Sequence, residues 1–178
     1  MENTIKIFGG SPKTGLPGAT DIVPGDLVKY DSASGGWIKL TTEDYSVDMT
    51  WDFSQVGMAV ESSAHTAAIN MGHTEEGTIT SLKWGLIAIV KFGDDWEGQG
   101  QFTRAAETLA VGDLLLIENG VLTKFDETLL AAGSVATGTI IKYNVVGEVL
   151  IGSTSTTGAI RFTTVGYPQL KVSAVGTL

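Results

Sequence analysis

One six-residue phrase occurs twice in this chain, and the repetition restricts its architecture more than any other feature. Val23-Pro24-Gly25-Asp26-Leu27-Val28 is echoed by Ala110-Val111-Gly112-Asp113-Leu114-Leu115, so that Asp113 follows Asp26 by 87 positions. Each copy leads through a turn into a second apolar run, Gly36-Trp37-Ile38-Lys39-Leu40 in one and Gly120-Val121-Leu122-Thr123-Lys124-Phe125 in the other. A polar loop and a Gly-led strand follow: Val56-Gly57-Met58-Ala59-Val60 matches Thr137-Gly138-Thr139-Ile140-Ile141, and 85–90 matches 147–151. The spacing predicts a small β-unit used twice. Neither unit can cover both faces of its own sheet, so the two are expected to pack as a sandwich or flattened barrel.

The rest of the chain agrees with an all-β fold. Short β-rich runs fall at 5–8, 27–30, 37–40, 56–60, 77–82, 85–92, 114–118, 121–125, 138–143, 147–151 and 159–163, punctuated by Gly, Asn, Asp and Ser. Asn119-Gly120 tolerates positive φ at both central positions, which predicts a type I′ hairpin. Helical patterning is weak, with one or two turns at most over 103–110 and 127–132. The expected organisation is an N-terminal arm over 1–20, a β domain over 21–164 and a tail over 165–178. The two pseudo-repeats of that domain span about 21–92 and 108–152.

Composition narrows the function. Of 178 residues, 43% are hydrophobic and 17% charged, which supports a packed core and argues against disorder. The 20 acidic and 11 basic side chains give a net charge of −9. Such a surface repels phosphate backbones, so direct nucleic-acid binding is not expected. No cysteine is present, which removes disulfides, a thiolate nucleophile and cysteine-ligated zinc. The opening residues lack a basic-then-apolar signal, and the longest apolar stretch, 86–90, is far too short for a bilayer. The chain reads as a protein folded in a cytoplasm, with no membrane partner.

No catalytic pattern emerges, and neither an enzyme nor a cofactor is expected. Gly9-Gly10-Ser11-Pro12-Lys13-Thr14-Gly15 has a proline where a phosphate loop needs a glycine amide, and reads as a flexible connector. His65 and His73 stand eight apart with no cysteine or third histidine to complete a metal set. Asp94-Asp95-Trp96-Glu97 clusters oxygen ligands but lacks the alternating order of a calcium loop, and reads as a solvated turn. Asp26 and Asp113 sit at matching points, where a turn-capping role is the simpler reading than a carboxylate pair. Trp37 and Trp84 lie within β runs and read as core. Trp51 and Trp96 lie in acidic, loop-like surroundings, either as exposed anchors or as rings folded back over the core edge.

The Gly-Asp-led strands and the Val-Gly-x-Ala strand resemble a family of bacteriophage head decoration proteins, also called capsid cement proteins. The matching residues are Pro24-Gly25-Asp26-Leu27-Val28, Val56-Gly57-Met58-Ala59-Val60, Val111-Gly112-Asp113-Leu114-Leu115 and Gly147-Glu148-Val149-Leu150-Ile151-Gly152, so the resemblance spans roughly residues 20–165. The chain departs from it by a long 41–55 loop, a 62–76 insertion, the N-terminal arm and a Gly-rich tail. The resemblance implies a virion structural protein on the capsid exterior, made in the host bacterial cytoplasm. Its partner would be the major capsid protein, and it would often form a trimer at local threefold positions.

On that reading at least one of the terminal segments, 1–20 and 165–178, extends onto a neighbouring subunit and adds a strand to an exposed edge, with Ile5, Ile7 and Phe8 as apolar anchors. An alternative of another class is a carbohydrate-binding β-sandwich that uses Trp51 and Trp96 as stacking platforms.

Overall fold

The computed structural model describes residues 5–18, 21–41, 55–60, 87–125 and 140–174, with backbone alone at 140–144 and 165–174. Among the described residues eleven strands form two antiparallel sheets. They are β1 Lys6–Phe8, β2 Lys13–Gly15, β3 Leu27–Asp31, β4 Gly36–Lys39, β5 Val56–Ala59 and β6 Ile87–Lys91, followed by β7 Glu97–Gly100, β8 Leu114–Glu118, β9 Val121–Lys124, β10 Ile140–Ile151 and β11 Ile160–Ala174. One sheet has the order β2-β6-β5-β3-β4 and the other β1-β7-β11-β10-β8-β9. Without β1, the second order is the first shifted by five strands. The molecule is therefore an all-β protein built from one five-strand plan used twice.

The repeat is larger than its sequence signature. In the first unit β2 pairs with β6, and in the second β7 pairs with β11 in the same place. Past β2, Leu16–Gly18 runs along the outer side of β4: the Trp37 amide donates to the Leu16 carbonyl (2.8 Å) and the Gly18 amide to the Trp37 carbonyl (2.7 Å). Past β7, the Leu122 amide donates to the Thr103 carbonyl (3.1 Å) and the Ala105 amide to the Leu122 carbonyl (2.8 Å). Parallel bridges at Pro17–Trp37 and Arg104–Leu122 thus bring the two ends of each sheet together. Each unit curls toward a small barrel, which leaves few unpaired edges.

Several expectations need correction. Lys13–Gly15 is a paired strand and not a flexible connector, and it belongs to the first unit. Residues 165–174 are not a tail: they continue β11 along β10, where Gln169 faces Val145. The expected strands at 138–143 and 147–151 are one long strand, β10, in which register irregularities stand beside Gly147 and Ile151. Residues 103–110 are not helical, because their backbone groups are taken by the closing bridges at Arg104 and Leu109. The 77–82 run and the 127–132 segment lie outside the described residues.

The internal alignment also shifts. Met58 faces Leu27 and Gly57 faces Val28, while Glu148 faces Leu114 and Gly147 faces Leu115. Val56-Gly57-Met58-Ala59 therefore corresponds to Val146-Gly147-Glu148-Val149, not to 137–141. Both glycines answer one steric demand. A Cβ on Gly57 would lie 2.5 Å from the Val90 carbonyl oxygen, and one on Gly147 would lie 2.7 Å from that of Thr163.

The core follows the period-two alternation of the strands. In the first unit Val28, Trp37, Ala59, Ile87 and Ile89 enclose one cluster together with Ile22. Leu27, Val56, Met58 and Val90 point to the opposite face and join a larger cluster with the second unit's Leu115, Leu122, Val149, Ile160 and Phe162. Both faces of the first sheet are thus covered, one by its own interior and one by its sister unit.

Candidate interaction surface

The repeated phrase folds into one hydrogen-bonded corner, built twice with the same partners. Gly25 and Gly112 hold φ at 94° and 88°, a left-handed conformation that glycine adopts without Cβ strain. The Gly25 amide donates to the Ala59 carbonyl and the Gly112 amide to the Val149 carbonyl, both at 2.8 Å. The Ala59 amide returns to the Asp26 carbonyl and the Val149 amide to the Asp113 carbonyl, both at 2.9 Å. Each aspartate then caps its own turn. Asp26 Oδ2 accepts from the Val23 amide (2.8 Å) and Asp113 Oδ2 from the Ala110 amide (2.7 Å). A lysine from the hairpin partner completes each corner: Lys39 Nζ lies 3.0 Å from Asp26 and Lys124 Nζ lies 2.9 Å from Asp113. The two carboxylates serve separate turns and do not form a pair.

The corners differ in charge balance and in partners. Burial disfavours the charged form of Asp113, but the Ala110 amide and the Lys124 ammonium outweigh it and hold the carboxyl below the ordinary aspartate value. Burial likewise works against the Lys39 ammonium, yet Asp26 and Asp21 more than offset it and raise its pKa. Asp26 has one further partner, the Thr103 hydroxyl at 3.1 Å, and the Thr103 amide donates to the Gly25 carbonyl at 3.0 Å. The first corner is thereby bonded to the second unit.

Trp96 is not an exposed anchor. It is 2% exposed, within the junction between the units. Its indole N–H donates to the Lys91 carbonyl (2.7 Å), and its ring lies 5.7 Å from Phe92 and 5.3 Å from Phe162. Thr164 locks it from the other side, accepting from the Trp96 amide at 3.0 Å and donating to the Asp94 carbonyl at 2.8 Å. The neighbouring acidic groups have partners of their own, Asp94 with Lys13 (3.4 Å) and Glu97 with the Arg161 Nε (3.0 Å). Trp51, Trp84, His65 and His73 lie outside the described residues. Among the described residues no group of three or more His, Asp or Glu gathers to hold a metal ion.

The N-terminal anchors find their seat within their own chain. β1 pairs with β7, Ile7 opposite Gly98, and Ile5 and Ile7 pack against the larger core cluster. Phe8 stays partly exposed under the Arg161 guanidinium, 4.6 Å from the ring centre. The arm does add a strand to an exposed edge, as expected of it, but here that edge belongs to the same chain's second unit.

Exposed apolar side chains stand at both corners, while Leu16 and Tyr30 are exposed elsewhere on the first unit. Val23 stands out at the first corner, and Val111 at the second, with Ile151 on the strand that reaches that corner. Val111 is 72% exposed and Ile151 49%. The second corner is rigid beneath them: Leu109 and Ser153 bridge in both directions (3.1 and 2.8 Å), and Arg104 donates to the carbonyls of Glu107 (2.6 Å) and Ser155 (2.8 Å). Only the repeated phrase hinted at this surface, since its exposed valines are local while Ile151 and Arg104 arrive through tertiary pairing. Comparison with family models, with curated proteins and with solved structures gives no match. The class that the fold defines is a duplicated antiparallel β protein.

Proposed function

We propose that this chain is a virion structural protein that binds the outer surface of an assembled phage head and stabilises it. One observation supports the reading above others. The motifs that carry the resemblance are not scattered: Pro24–Val28 meets Val56–Val60 at one corner, and Val111–Leu115 meets Gly147–Gly152 at the other, through matching bonds. A protein whose task is adhesion needs a stiff frame that presents apolar contacts, and these corners offer Val23 and Val111 from capped turns and Ile151 from the adjoining strand end. The acidic surface suits a protein carried in many copies at high density. Modest individual contacts then add through avidity.

The partner on this reading is the major capsid protein, with a trimer as the assembly. Sedimentation of phage heads that lack the protein, mixed with the purified chain, tests it directly. Saturable co-sedimentation supports the proposal, and its absence on intact heads overturns it. Light scattering of the free and released protein reports the trimer. The sugar-binding alternative loses Trp96 as a platform, because that ring is buried between the units.

A further inference from the structure

Duplication supplies an internal control. At one end of the first unit Lys13, Thr14, Tyr30, Trp37, Gln55, Ile89 and Lys91 line a cleft of about 370 Å³. Strand register identifies the matching positions in the second unit. Lys13 faces Ile89 as Gly98 faces Phe162, Tyr30 faces Trp37 as Ile117 faces Leu122, and Lys91 faces Gly57 as Thr164 faces Gly147. There the end is packed shut. Ile117, Leu122, Phe162 and Thr164 are all buried, and the Phe102 and Phe162 rings meet edge to face at 4.9 Å. A Cβ at Gly98 would lie 2.8 Å from Trp96 and 3.2 Å from Phe102, so that position has no room even for a methyl group. One plan thus has two endings, a buried aromatic plug and a cleft that carries two lysines and two aromatic rings.

We propose that this cleft binds a small organic anion with a flat ring, its carboxylate or phosphate held by the two lysines. Lys91 Nζ already sits 5.7 Å from the Trp37 ring centre, and the Lys91 backbone is fixed by the Trp96 indole. Tyr30 stands edge-on to Trp37 at 6.0 Å and remains 45% exposed, which leaves its ring available to a ligand. Lys13 reaches the same cleft from β2. Its pair with Asp94, at 3.4 Å between exposed groups, is of the weak kind that an entering anion displaces. The volume admits a single-ring ligand. One lysine over an aromatic face, with a second lysine lining the same cleft, favours anionic over neutral rings of the same shape.

Titration of the full chain, isotopically labelled, with benzoate, phenyl phosphate and neutral benzamide tests the site, read at the Trp37 indole N–H by magnetic resonance. Saturable shifts of that signal with benzoate or phenyl phosphate, and binding of benzamide at least tenfold weaker, are expected. The tighter of the two anions identifies the head group. The Lys13→Gln/Lys91→Gln double variant should lose at least tenfold in affinity while signals from the second unit keep their positions. Equal binding of benzoate and benzamide, or no saturable shift at Trp37, overturns the proposal on the unaltered chain. A folded double variant that binds as the parent does also overturns it.

Discussion

At the residue scale the twin corners make a matched experiment. Asp26→Ala removes the acceptor of the Val23 amide and of the Thr103 hydroxyl and one of the two carboxylates beside Lys39, whereas Asp113→Ala removes the acceptor of the Ala110 amide and a carboxylate beside Lys124. Each loss is expected to cost about 1–3 kcal/mol, with Asp26→Ala the larger, as read from urea midpoints. Acid should act on the second corner too. The Asp113 carboxyl is held below its ordinary value of 3.8, so its contribution is full above that pH and fades as pH falls through the lower folded value. Asp113→Asn should therefore flatten the acid limb of stability, measured by urea unfolding between about pH 5 and pH 2. Gly147→Ala forces a methyl against the Thr163 carbonyl and should cost about 1–3 kcal/mol in the same assay. The aspartates were legible because a capped turn is local, three residues from acceptor to donor. The match of Gly57 with Gly147 was not, since it depends on which strand passes beside each glycine, and Gly138 offered the better one-dimensional likeness.

At the scale of elements, the strands with apolar alternation were legible and those without it were not. Leu27–Asp31, Leu114–Glu118 and the Asn119-Gly120 turn follow from pattern alone, and the turn residues hold φ at 52° and 75° as a type I′ hairpin requires. Glu97–Gly100 and Lys13–Gly15 carry no such signal. They are strands because β11 and β6 present edges to them, and because Arg161 reaches across to Glu97. Trp96 shows the same override: its acidic neighbours look like a surface loop, yet its ring seals the junction. Trp96→Ala should cost about 3–5 kcal/mol in thermal or urea unfolding. Removal of residues 1–8 exposes the edge of β7 and the pocket of Ile5 and Ile7. It should lower stability by about 1–3 kcal/mol in the isolated chain, as urea unfolding would report.

At the scale of the whole molecule, duplication lets one half bury what the other cannot. The first sheet's outer face of Leu27, Val56, Met58 and Val90 would be an exposed apolar patch on a lone unit, and its place inside the larger cluster makes the halves interdependent. The repeat itself was readable from Gly-Asp, but its full extent was not. Its first strands, β2 and β7, are short and polar and lie before the phrase that announces each copy. If the corners are the adhesive surface, Val111→Asp and Ile151→Asp should weaken co-sedimentation with phage heads at least tenfold. Their effect on unfolding should stay within about 0.5 kcal/mol, because both side chains face solvent.

The N-terminal thread visits the two halves in reverse order. It first lies on β7 of the second unit and, after four residues, becomes the opening strand of the first. A tether pulling on Met1 would therefore load the β1–β7 ladder before the first half feels tension. Release of that ladder would lengthen the chain while both halves keep their interiors. A particle that swells under internal pressure could draw on such a short, sacrificial extension, and single-molecule pulling would show it as a small step preceding the main rupture.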